Sequence, residues 1–244
     1  QRTVFYLPSV LSSMQQAEIE GIDVGLDAPA LPVRSAVCAP FPFIHLASGI
    51  GPWGADEKEG PIEDQMKVLT EHLKGYDVVA IGEIGLDNHH KYGSIERQQQ
   101  LVDVQLDLAH QLNKPVIFHN READSQFISL FTSRSFGKCG ILHCFQGSEA
   151  LARLAVEKGF FISFAGPLTY KANSEMQRIF NLVPLEQILL ETDSPYLSPV
   201  PVRGRPNSPL NMEHIYRFAA ELRQMELNQF IAQIQSNFHR FLKQ

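Results

Sequence analysis

At 244 residues, with 44% hydrophobic and 20% charged side chains, the chain has the size and composition of one globular α/β barrel and not of a disordered or fibrous protein. A net charge of −6 excludes a protein that holds nucleic acid by electrostatics alone, although it leaves room for a nuclease that relies on metal ions at the scissile phosphate. No apolar run approaches the roughly 18 residues of a membrane span, residues 1–6 do not resemble a secretory signal, and a cytoplasmic setting without an obligate protein partner is expected.

Short runs rich in Val, Ile, Leu and Phe recur along the chain, at Val4 to Leu7, Phe43 to Ile50, Val78 to Leu86, Pro115 to Phe118, Gly140 to Phe145, Phe160 to Phe164 and Ile188 to Leu190. None alternates with polar residues, so each is expected to be a strand buried on both faces of a parallel sheet. Helical periodicity fills the spaces between them. Pro61 can open a helix with Met66, Leu69 and Leu73 on its inner face and Gly75 at its end. Ser94 is a cap for a long helix with Leu101, Val104, Leu108 and Leu112 inward, and Ser148 caps another with Leu151, Leu154 and Ala155 inward and Gly159 at its end. Two helices finish the chain, one presenting Ile215, Phe218 and Leu222, the other Ile231, Ile234, Phe238 and Phe241.

Seven strands are countable where a closed barrel has eight, so the expectation is a TIM (β/α) barrel lacking or truncated at its first strand, a single domain over residues 1–244. Cys38, Cys139 and Cys144 have no CxxC spacing and are expected as buried small residues. The Pro-rich stretch Ser194 to Pro209 reads as a long functional loop.

Ionisable residues break the apolar strands. Glu83 lies in Val78 to Asp87, where an unpaired carboxylate costs several kcal/mol unless a cation lies nearby. His119, His143 and Asp193 each follow an apolar run. Strand carboxyl ends of a barrel share one rim, so these four are expected to converge. Two imidazoles and two carboxylates are ligand types for Zn²⁺, Mn²⁺ or Fe²⁺, or for Mg²⁺ where oxygens dominate, and the chemistry expected is metal-assisted hydrolysis. Each residue taken alone has a plainer reading, a hydrogen-bonded histidine or a turn-forming aspartate. His45 is expected in a strand core or facing outward. His89 and His90 sit in a rim loop, either against substrate or metal or simply solvated. His72, His110, His214 and His239 are expected on helix surfaces.

Four segments resemble, in order, the signature motifs of the TatD-type metal-dependent deoxyribonucleases: Ile81 to Asp87 (IGEIGLD), Val116 to Ala123 (VIFHNREA), Leu142 to Gly147 (LHCFQG) and Leu190 to Leu197 (LETDSPYL). Arg203 to Asn207, and Asn237-Phe238 with Phe241, look like that family's closing motifs. The resemblance implies a TIM barrel with one or two divalent ions (Mg, Mn or Zn) that cleaves phosphodiesters of DNA. It implies Glu83 as a ligand able to bridge two ions, His119 and His143 as ligands, and Asp193 as a ligand or proton acceptor. Arg121 and Arg203 would meet phosphate, and His90 would contact substrate. Members of that family also carry an early His-x-His pair and a Gly-x-His-Pro segment. Here the latter position reads Gly49-Ile50-Gly51-Pro52-Trp53, so truncation or loss of half the metal centre is expected. The competing expectations are a weakened barrel that binds metal or nucleic acid without turnover, and a hydrolase of small esters or amides.

Overall fold

The computed structural model describes residues 7–244. The expected strand Val4 to Leu7 lies outside them, except that Leu7 opens a helix, α1 (Leu7–Gln16), with Leu11 and Met14 buried. Two compact units follow from the packing of the chain, one formed by Gly21–Leu142 with Gln244 and one by residues up to Glu20 with His143–Lys243.

The first unit alternates β1 (Gly21–Val24), α2 (Leu31–Cys38), β2 (Ile44–Ser48), α3 (Ile62–Gly75), β3 (Ala80–Asp87), α4 (Ile95–Gln111), β4 (Val116–Arg121), α5 (Asp124–Ser133) and β5 (Ile141–Leu142). Its strands are parallel and lie side by side in chain order. β3 is buried along its whole length, Glu83 and Asp87 included, as expected of a strand covered on both faces. Pro61 precedes α3, and Met66, Leu73 and Val104 pack on a cluster of Ala28, Ile50, Ala55, Ile62, Leu69, Leu101 and Leu108. Ser94 caps α4 by accepting from Arg97 N at 3.2 Å, but Leu112 is 42% exposed, because the helix ends before its side chain can turn inward. Phe118, Phe127, Phe131 and Phe136 pack edge to face, save for the tilted pair Phe118–Phe131, with centroids 5.3–6.0 Å apart.

Two buried glutamines of α4 tie that helix to the strand ends. Gln105 accepts from Ile50 N at 2.7 Å and donates to Ile50 O at 2.8 Å. Gln98 accepts from Asp87 N at 2.8 Å and donates to Asp87 O at 3.1 Å. Backbone groups that leave a ladder inside a protein need such partners.

The second unit holds α1, α6 (Glu149–Glu157), β6 (Phe161–Phe164), α7 (Ser174–Leu182), β7 (Ile188–Leu190), α8 (Met212–Leu222) and α9 (Leu227–Leu242). β6 and β7 are parallel, with Ile162 opposite Ile188. Ser148 caps α6, accepting from Leu151 N at 3.4 Å, and Gly159 ends it at φ 82°. The inner faces of α8 and α9 bury Ile215, Ala219, Phe230, Ile234 and Phe241. Asn237 of α9, fully buried, donates to Leu185 O and Ile188 O, each at 2.8 Å, and so fastens the start of β7. No helix among the described residues is long and apolar enough to cross a membrane.

Candidate metal centre

In the first unit the site grows out of β3 and β4. Their register slips between Ile81 and Ile84: Ile81 pairs with Val116 and Ile84 with Phe118, so β3 carries an extra residue there. Glu83 sits in that irregularity. It is therefore not at the carboxyl end of its strand, as expected from the sequence, but within it; the last residue of β3 is Asp87. Gly85 pairs with His119, and a Cβ at Gly85 would strike the His119 carbonyl, so only glycine lets the two backbones approach this closely.

His119 lies between two carboxylates. Its Nδ1 is 2.6 Å from Glu83 Oε1 and its Nε2 is 3.4 Å from Asp87 Oδ2. Glu83 is 8% and Asp87 3% exposed, so both acids are withdrawn from water, one at each nitrogen of a single imidazole. Asp87 Oδ1 accepts from the backbone N–H groups of His89 (2.9 Å) and His90 (2.7 Å), while Oδ2 is 2.8 Å from His90 Nδ1. Burial works to raise the Asp87 pKa, but hydrogen bonds from His119 and from the backbone and ring of His90 outweigh it and hold the carboxyl well below the usual range.

The neighbouring loops are tied together. Asn88 N donates to Arg121 O at 2.8 Å, Asn88 Nδ2 donates to Glu122 O at 2.8 Å, and His89 Nδ1 is 2.9 Å from Glu122 Oε1. Arg121, the last residue of β4, is half-buried with its Nε 4.0 Å from Glu122 Oε1. His90 is on this rim, as expected, with over half of its side chain exposed, and His45 lies half-buried in β2.

The second unit carries its own group. His143 comes directly after β5, and its Nδ1 is 3.1 Å from Glu191 Oε1. Ligand atoms of His143, Glu191 and Asp193 all lie within 4.8 Å of one another. Asp193 adopts φ 54° and Cys144 φ 44°, left-handed conformations that non-glycine residues rarely take and that concentrate at functional sites. The turn holding Asp193 is braced by Asn207, whose Nδ2 donates to Thr192 O (2.8 Å) and Tyr196 O (2.7 Å). In the expected loop after the last strand, the exposed Arg203 places its guanidinium 4.2 Å from the centre of the Tyr170 ring, and the Tyr170 hydroxyl donates to Ser198 O at 2.8 Å. Burial pushes the Tyr170 phenol up.

Two acidic residues escaped the reading of the sequence as site residues, although both were in plain view: Asp87 closes the same apolar run as Glu83, and Glu191 follows Ile188-Leu189-Leu190 directly. Among the other expectations, Cys38 is buried whereas Cys139 and Cys144 are only partly so, and all three are thiols. His110 and His239 are exposed on their helices and His214 partly so, but His72 is half-buried, its Nδ1 2.9 Å from Ala28 O.

Buried carboxylates packed on imidazoles at the carboxyl side of parallel strands are a donor set that fits a divalent cation, which would neutralise the charge that burial makes costly. The fold and these groups define the class as a metal-dependent hydrolase built on an α/β, (β/α)-barrel fold. The family model described as TatD related DNase matches residues 6–243, and the chain belongs to that family. Among its relatives, the metal-dependent hydrolase YabD of Bacillus subtilis (strain 168) is 31% identical over 239 residues, 97% of this chain and 92% of that one. A protein of Erwinia tasmaniensis named 3'-5' ssDNA/RNA exonuclease TatD is 33% identical over 204 residues, covering 81% of this chain and 78% of its own. The crystal structure of YjjV, a TatD homolog from Escherichia coli K12, superposes with a TM-score of 0.86 at 28% identity, covering 94% of this chain and 90% of that chain.

Proposed function

We propose that this chain hydrolyses phosphodiester bonds of DNA, with residues 1–244 acting as one hydrolase domain and with Glu83, His119, His143 and Asp193 holding one or two divalent ions, Mg²⁺, Mn²⁺ or Zn²⁺. The observation that carries the reading is the pairing of two buried carboxylates, Glu83 and Asp87, with the single imidazole of His119. Without a cation, that arrangement concentrates negative charge where desolvation is most costly. The relative named as a single-strand exonuclease supports the choice of substrate.

A divalent ion supplies Lewis acidity there, making water a usable nucleophile near neutral pH and offsetting charge on the phosphoryl group. The chain's own residues do the rest. In the first unit Glu83 and His119 would hold an ion, and Asp87 fixes the orientation of the His119 ring, as carboxylates commonly do for ligating histidines. In the second unit Glu191 does the same for His143, and Asp193, set by its left-handed turn, accepts the proton of the attacking water. Arg121 and Arg203 bind phosphate oxygens, the Tyr170 ring holding the Arg203 fork in place. His90 faces solvent on the same rim and contacts the substrate. Three cysteines kept as thiols fit a reducing, cytoplasmic compartment.

Elemental analysis followed by cleavage of single-stranded DNA with Mg²⁺ or Mn²⁺ tests the proposal. Glu83→Ala and Asp193→Ala are each expected to lower turnover by at least about 100-fold, and EDTA to abolish it. Cleavage that survives the chelator would sink the metal mechanism. Bound metal without any cleavage would select the binding-only reading, and cleavage confined to small esters would select the third.

A further inference from the structure

The rim of the first unit carries a run of ring side chains in which the reading above gives a role to His119 and His90 but none to Trp53 and Tyr92. Trp53, in the 3₁₀ turn Pro52–Ala55, donates from its indole Nε1 to Leu26 O at 2.5 Å. A Cβ at Gly51 would meet the six-membered part of the indole, so the ring lies against bare backbone. It packs edge to face with the His119 ring at 6.4 Å and 76°, and with the Tyr92 ring at 6.3 Å and 84°. Tyr92 in turn stacks on His90 at 5.3 Å and 27°. Trp53 and Tyr92 are half-buried and His90 is exposed, so apolar ring surface stays open beside the buried acid–imidazole group.

We propose that Trp53, with Tyr92 and His90, is a stacking platform for an unpaired nucleobase, placing the adjoining phosphodiester at the His119 group. The inference rests on the phosphodiester reading above. Three observations converge on it. The indole is fixed in position by its own hydrogen bond and by the glycine beneath it, so a base stacking on it costs little ordering. Its ring touches the ring of a proposed metal ligand, within a nucleotide's reach of the chemistry. And a chain of net charge −6 gains little from phosphate attraction, so affinity for a polyanion must come from elsewhere. Base–aromatic stacking is sequence-tolerant and contributes about 1–3 kcal/mol per base, roughly 5- to 150-fold in affinity. A duplex hides its base faces, so the platform selects single strands of DNA or RNA.

Trp53 is the only tryptophan of the chain, so its fluorescence reports on this place alone. Oligothymidylate is titrated into the full-length protein, once in EDTA and once in Mg²⁺, beside an abasic oligomer of the same length and a blunt duplex. Quenching by the base-bearing single strand, in either buffer and stronger than by the abasic strand or the duplex, is the expected result. Oligouridylate run in parallel distinguishes RNA from DNA as the source of the base. In Trp53→Ala the preference for base-bearing over abasic strand, measured by competition against a labelled oligomer, is expected to fall about tenfold, and Trp53→Phe to restore most of it. Equal quenching by abasic and base-bearing strands, or no quenching while oligonucleotide binds, would overturn the platform even if cleavage is metal-dependent. Quenching by single strands from a protein that cleaves nothing would uphold the platform and refute the hydrolase.

Discussion

Asp87 titrates below its ordinary 3.8 because donors surround it, despite the burial that pushes the other way. A depressed folded pKa means that the carboxylate contributes stability at pH values above 3.8, and that the contribution is lost as the pH falls through the folded value. In metal-free protein, Asp87→Asn is therefore expected to lower unfolding free energy by about 1–3 kcal/mol at neutral pH. Urea denaturation across a pH series should show the gap to wild type closing at acid pH; a gap that stays constant would mean that charge is not what Asp87 contributes. At this scale the sequence was legible wherever a polar side chain interrupts an apolar run, which is how His119, His143 and Asp193 stand out. It was not legible where a position depends on a partner strand. Glu83 owes its position to a register slip against β4, and no pattern within β3 alone encodes a pairing.

At the scale of elements, β3 and β4 are held at the distance the site needs by the absence of one methyl group. Gly85→Ala would drive a Cβ into the His119 carbonyl, which belongs to backbone and cannot swing aside. The expected loss is more than about 2 kcal/mol of stability, accompanied by weaker metal binding in calorimetric titration. A variant that melts and binds like wild type would show that the strands can yield. Periodic helices with marked ends, α3, α4 and α6, were readable in advance because start signal (Pro61 for α3, a capping serine for α4 and α6), apolar stripe and stop signal agree. β1 went unread: Gly21–Val24 has only four residues, one of them an aspartate, and takes its strand character from pairing with β2. α1, α2, α5 and α7 were similarly missed, being short helices whose stability comes from what they pack on.

For the molecule as a whole, a cation that binds only the folded chain must stabilise it by mass action. With Mn²⁺ at about 100 times its Kd the gain is about 2.7 kcal/mol, and for a chain of 244 residues this is expected to raise Tm by roughly 5–10 °C in differential scanning calorimetry. Glu83→Ala should lose most of that shift, and an unchanged Tm in the parent protein would argue against a built site. Fold class and family were both visible in the sequence, since six of the seven expected runs fall on strands that alternate with helices, and four motifs occur in register. What stayed hidden was the supporting layer, Gln98, Gln105, Asn207 and Trp53, whose partners lie far away along the chain.

Asn237 shows how far such support reaches. By gripping the carbonyls of Leu185 and Ile188 it makes the last helix a mooring for the strand that delivers Glu191 and Asp193. A protease nibbling inward along that helix, or an early stop codon, would therefore cast off acids that it never reaches, and the health of the proposed centre is inseparable from that of a helix with no chemistry of its own.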